Sequence, residues 1–270
     1  KNFNLNTLSC NAQFSVEEMS FTKESHLKDF KIQQIKGAID TFDIGENLTF
    51  HLKAAAENKN HPMIVKADGQ ISKLSHLQES EGVEQLNGSC QLEMKEIPSH
   101  FLSYLLGNQE LLIEVLGPTT SLDLKFEGSP KEGTLDLKLI SSRMNFAQTQ
   151  FKLIDKNLLV LTNPSEFHYK LNPSFAKLVL NPKLSLLHPF DVEAKLKKLV
   201  ISLIPNERTI KDIDLKLSSK PFETSYENSK SIHIQDTRVY IGKNEEDKIE
   251  TKAYFTALLP EDYNATFLKE

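Results

Sequence analysis

The chain is 270 residues long with a net charge of −5, and charges of both signs are interspersed along it. That balance argues against the basic stripe with which nucleic-acid binders displace counterions, and the chain has no polybasic run for an anionic membrane surface. Hydrophobic residues make up 39%, enough to fold but with little apolar material for a thick, two-sided core.

From Asn2 to about Leu92 the chain predicts consecutive strands: Ala12–Phe21, Leu27–Ile35, Ala38–Phe42, Leu48–Ala54, Met63–Leu74 and Gly88–Lys95. Turn-forming sequence separates them at Lys36-Gly37, Gly45-Glu46-Asn47, Glu57–Pro62 and Ser80-Glu81-Gly82. From Ile97 to Gly117 the character changes. Phe101, Leu105, Leu111, Leu112, Val115 and Leu116 follow helical spacing, with Ser99 placed as an N-cap after Pro98. Gly107-Asn108 splits this stretch into two short helices, and Gly117-Pro118 stops the second. A further helix is expected over Pro173–Leu180, opened by Asn172 and closed by Asn181-Pro182. The remaining predicted strands are 121–127, 134–140, 144–154, 157–162, 165–171, 190–204, 209–218, 230–235, 237–243 and 249–258.

These strands do not alternate with crossover helices, so a parallel α/β sheet is excluded. The expected fold is mainly β: a large curved antiparallel sheet with one or two short helices. Residues 1–96 form an N-terminal sheet segment, and 97–270 a helix–hairpin insert followed by a long-stranded segment. The two are separate modules or one continuous sheet.

Signatures of catalysis are missing. The 10 glycines are scattered singly, so no phosphate-cradling loop is formed, and no Gly-x-Ser-x-Gly elbow occurs. The eight histidines show no metal-ligand spacing, and carboxylate runs such as Glu245-Glu246-Asp247 read as solvated turns. The expectation is a non-enzyme without metal or cofactor. Cys10 and Cys90 are either one disulfide closing a long loop or two buried thiols, and so sparse a pair announces no disulfide framework. No run approaches the ~20 apolar residues of a membrane helix. The chain opens at Lys1 directly into strand-like sequence, and it reads as a segment excised from a longer protein.

What carries a function is the period-two alternation. Leu122, Leu124 and Phe126 alternate with Asp123, Lys125 and Glu127, and Leu135, Leu137 and Leu139 with Asp136 and Lys138. Leu196, Leu199, Ile201 and Leu203 continue an apolar face begun by Val192 and Ala194, and Leu215 and Leu217 follow Ile213. Two such faces can bury each other about 10 Å apart in a sandwich, giving a structural or adhesive module that binds other proteins. Alternatively the twelve leucine, isoleucine and phenylalanine positions named, Ile213 apart, line a groove for acyl chains.

The order of features from Ser99 to Phe222 resembles the AsmA-like superfamily, the TamB-related repetitive β-groove proteins of the bacterial envelope. The points of contact are Leu105–Gly107, Leu116-Gly117, the hairpin around Gly128–Gly133, Leu171-Asn172-Pro173, and Asn181-Pro182 leading to His188-Pro189-Phe190 before a long strand ending at Ile204-Pro205. The resemblance implies a periplasmic location, with tethering to the inner membrane through parts outside this chain. It also implies a role in inter-membrane phospholipid transport or outer-membrane biogenesis. Phospholipid or another acyl-chain lipid would be the partner, with envelope proteins beside it. It supplies no catalytic residue.

Overall fold

Alternating sequence with no long helix to cover it has to satisfy its backbone in ladders. In the computed structural model, which describes residues 9–20, 30–43, 46–58, 61–78, 82–105, 110–174, 184–204, 209–226 and 231–258, that is what happens. The N-terminal strands are β1 (Cys10–Ser20), β2 (Phe30–Asp43), β3 (Asn47–Asn58), β4 (His61–Ser72) and β5 (Asn87–Pro98). A one-turn helix α1 (Gly82–Gln85) precedes β5, and α2 (Ser99–Leu105) and α3 (Glu110–Leu116) follow it. Then come β6 (Thr119–Gly128), β7 (Gly133–Ser141), β8 (Met144–Ile154), β9 (Leu158–Leu161), β10 (Ser165–Leu171) and β11 (Leu184–Leu186). The chain continues through β12 (Phe190–Ser202), β13 (Ile210–Ser219), β14 (Phe222–Tyr226), β15 (Ile232–Lys243) and β16 (Ile249–Leu258).

All sixteen strands belong to one sheet, and every pairing in it is antiparallel. Its register shows a simple meander. Strands β9 and β10 lie end to end between β8 and β12. Likewise β11 prolongs β12, and β14 prolongs β13, because Leu186 pairs with Thr224 as Val192 pairs with Ser219. Both prolonged strands are interrupted at a proline, Pro189 in one and Pro221 in its neighbour. Proline has no N–H to give the ladder, so a break in pairing is concentrated there. Phe190 and Phe222 stack across it, with centroids 3.9 Å apart. The sheet also crosses residue 96, through a bulge, since β5 pairs with β6 from Gly88–Gly128 to Met94–Leu122 and again from Ile97–Thr120 to Pro98–Thr119.

Several expectations shift. The described part of Leu27–Ile35, from Phe30 on, and Ala38–Phe42 are one strand, β2, and Lys36-Gly37 is mid-strand rather than a turn; residues 27–29 lie outside the described residues. The predicted break at Asp236 is a register shift inside β15. Strands β11 and β14 and helix α1 were not expected. Gly107-Asn108, Asn181-Pro182 and most of Pro173–Leu180 lie outside the described residues. By contrast 165–171 and 249–258 match β10 and β16.

Four of the seven register shifts among the described residues accompany two consecutive polar residues after an apolar one: Ile32-Gln33-Gln34-Ile35, Met94-Lys95-Glu96-Ile97, Leu196-Lys197-Lys198-Leu199 and Ile234-Gln235-Asp236-Thr237. A bulge lets two neighbours point the same way, so the apolar phase survives it, and the local twist increases. Glu96, at φ 54°, is one such residue, and its N–H donates to the Ser121 hydroxyl at 3.1 Å.

Glycine is used where a neighbour's ring lies over the backbone. Phe50 lies over its cross-strand partner Gly69, where an added Cβ would sit 2.5 Å from the ring and 2.7 Å from the Ser89 carbonyl oxygen. Gly69→Ala is therefore expected to cost about 1–3 kcal/mol. Thermal melting checks this, and an unchanged midpoint would contradict the packing described.

Helices α2 and α3 sit at one end of the sheet, and α1 at the other, where Glu84 pairs with Lys131 and Lys156. Gly117, at φ 80°, ends α3 in the left-handed conformation and donates its N–H to the Ile113 carbonyl at 2.8 Å, as its place before Pro118 predicts. Arg143, in the β7–β8 turn, donates to the Glu114 carbonyl and pairs with the Glu114 carboxylate at 3.1 Å. Ser99 places its hydroxyl 3.0 Å from that of Thr120.

Candidate functional site: the apolar face

Directly opposed residues in an antiparallel ladder share a face, so the register defines the two sides of the sheet. One line of direct partners crosses it from edge to edge: Val16, Ile35, Ala54, Val65, Met94, Leu122, Leu139, Phe146, Phe167, Ala194, Leu217, Val239 and Ala253. No polar residue interrupts it. A flanking line runs Phe14, Gly37, Leu52, Ala67, Leu92, Leu124, Leu137 and Thr149, and resumes as Leu196, Leu215, Ile241 and Thr251. Thr149 and Ser165, whose hydroxyls are 2.5 Å apart, sit at the gap, so the polar groups there satisfy each other.

The structure brings the sequence candidates onto this face. Leu122, Leu124, Phe126, Leu135, Leu137, Leu139, Leu199, Ile201, Leu215 and Leu217 are half-buried. Leu196 is buried at 6% exposure, within a cluster formed with Phe151, Leu161 and Ile213. Leu203 lies just past the end of β12 and is exposed. A facing second sheet would bury inward side chains as a core does. Among the described residues there is one sheet, and most of its inward positions stop at half-burial. A second small core, Ala56, Met63 and Ile97, is covered by Phe101 and Leu102 of α2, so the helical insert closes part of one end of the face.

Sequence reasoning missed the N-terminal part, from Val16 to Met94. There the alternation is diluted by Ala54, Ala67, Gly37 and Gly69, and only the register reveals its continuity.

The opposite face is charged. Ion pairs run along and across strands: Lys66 and Lys95 with Glu93 at 3.3 and 2.5 Å, Lys195 with Glu166 at 2.8 Å, and Lys198 with Asp212 at 2.5 Å. Hydrogen bonds from Lys95 and Lys66 hold Glu93 below the usual carboxylate range; Lys195 does so for Glu166, and Lys198 for Asp212. Two depressions, of about 850 and 660 Å³, open between the long side chains of this face. The larger is bordered by Asp214, Arg238, Tyr240, Glu250, Lys252 and Tyr254, and the smaller by Lys36, Lys53, Lys66, His51 and Asp68.

The depressed carboxylates set a pH dependence. Their stabilisation is complete above the unfolded-state pKa of about 4 and is lost as pH falls through the lower folded values. Melting at pH 7 and near pH 3 should show a lower midpoint in acid, and added salt should shrink the difference because these pairs are exposed. An acid shift insensitive to salt would place the cause elsewhere.

Cys10, exposed on β1, and Cys90, half-buried on β5, are free thiols. Among the described residues no group of His, Cys, Asp and Glu has the arrangement of a metal site, and no helix is long and apolar enough to cross a membrane, which says nothing about strands. No protein-family model, no curated protein and no solved structure matches the chain.

Proposed function

We propose that the apolar face shields lipid acyl chains, and that the chain acts without catalysis as part of an AsmA/TamB-like envelope protein. Inter-membrane phospholipid transport or outer-membrane biogenesis, in the periplasm, would be its setting. The observation that supports this reading is the unbroken apolar line from Val16 to Ala253, left half-exposed in a single sheet. Uncovered apolar surface on this scale marks an interaction site. Acyl chains fit it because they ask for no hydrogen bonds, and each methylene removed from water contributes about 0.8 kcal/mol.

Lipid extraction of the purified chain followed by mass spectrometry tests the reading. Phospholipid at near-stoichiometric yield is expected. A lipid-free chain that is monomeric, or that holds another protein on this face, would overturn it.

A further inference from the structure

Like charges meet in direct register at three places on the charged face: the lysines of β2–β4, Lys195 with Lys216, and Glu93 with Asp123. Elsewhere directly opposed residues are mostly of opposite sign, as in Lys66–Glu93, Asp123–Lys138 and Lys125–Asp136. In β2, β3 and β4, however, Lys36 opposes Lys53 and Lys53 opposes Lys66. Like charges in direct register are unfavourable, and nothing in the local sequence removes the conflict. Lys195 and Lys216 also oppose each other, but there Glu166 takes Lys195, and Lys216 lies 5.0 Å over the Tyr240 ring. Among the described residues Lys36 and Lys53 have no carboxylate partner, and Lys66 shares Glu93 with Lys95.

The three lysines border the depression of about 660 Å³, together with Gln13, Ser15, His51 and Asp68. One Asp68 oxygen is held 2.7 Å from His51 Nδ1, at the border of the row. The row is three ammonium groups spanning about 10 Å, from a spacing of about 5 Å per strand, of which Lys66 is paired with Glu93 and Lys36 and Lys53 are not paired with a carboxylate among the described residues. Gln13 and Ser15 supply hydrogen-bond donors beside it.

We infer that this row binds a phosphate-bearing anion with at least two negative charges, laid across β2–β4 on the face opposite the apolar one. An ammonium recognises phosphate as a point charge, and several along a line select for extended or multiply charged anions. The inference does not depend on lipid occupying the apolar face. The anion can be a soluble polyphosphate or the two-phosphate headgroup of a lipid, and two probes separate these.

Titration calorimetry of the full chain with inorganic tripolyphosphate at low salt tests the soluble source. Co-sedimentation with phosphatidylcholine vesicles, with and without cardiolipin, whose headgroup carries two phosphates, tests the headgroup. Binding to either probe should weaken at least ~10-fold in the double variant Lys36→Gln/Lys53→Gln. It should persist in the control Lys125→Gln/Lys138→Gln on the same face. The exposed positions keep both variants folded, which melting confirms. Binding to neither probe, or binding that the Lys36/Lys53 variant leaves intact, would overturn the inference.

Discussion

Replacing Leu196 by Asp is expected to unfold the sheet, whereas Leu124→Asp/Leu137→Asp leaves it folded and stops it loading lipid. All three residues lie on the same face, and the difference is what surrounds them. Leu196 is 6% exposed among Phe151, Leu161 and Ile213, so an aspartate there is stranded without water or a partner. That is expected to cost ~4 kcal/mol, a large share of a typical domain's stability. The melting midpoint should fall by ~10 °C or more, or no folded chain should be recovered. Leu124 and Leu137 are half-buried, and carboxylates placed there reach water, at about 1 kcal/mol each. Any acyl chain lying over them would have to cover two charges, so co-purified lipid should drop at least ~10-fold. If the Leu124/Leu137 variant unfolds as readily as Leu196→Asp, the face is a closed core.

Deletions in β12 should show an equally large contrast. Lys197 is the extra residue of a bulge: Leu196 pairs with Leu215, Lys198 with Asp214 and Leu199 with Ile213. Removing Lys197 regularises the ladder and keeps every partner, at an expected cost of about 1 kcal/mol. Removing Lys195 brings Ala194 against Leu196 and turns Val192 and Ala194 to the charged face, with Asp191 and Glu193 inward. That deletion is expected to abolish cooperative folding. Circular dichroism melts of the two deletions decide it, and equal behaviour would contradict the register.

Legibility in the sequence follows the range of the interaction responsible. Alternation is local, so the strands around Leu122–Phe126 and Leu135–Leu139 read directly, as does the helix stop at Gly117-Pro118. Lys36-Gly37 read as a turn because glycine there is explained only by Phe14, which lies over it from the neighbouring strand. The continuity of β11 with β12 through Pro189, and of β13 with β14 through Pro221, needs the pairing of Leu186 with Thr224. The Lys197-Lys198 doubling was visible as a break in alternation, but the partner strand is what makes it a bulge. For the site, the leucine-rich strands announced themselves. The lysine row did not, since Lys36, Lys53 and Lys66 meet only through register.

Photo-crosslinking from single positions on opposite faces tests the central claim most directly. A benzophenone amino acid at position 124 or 217 faces the apolar side; at 125 or 216 it faces the charged side. After expression in a bacterial envelope, the account predicts lipid adducts from 124 and 217 and none from 125 and 216. Equal lipid labelling from both faces, or only protein adducts from 124 and 217, would contradict it.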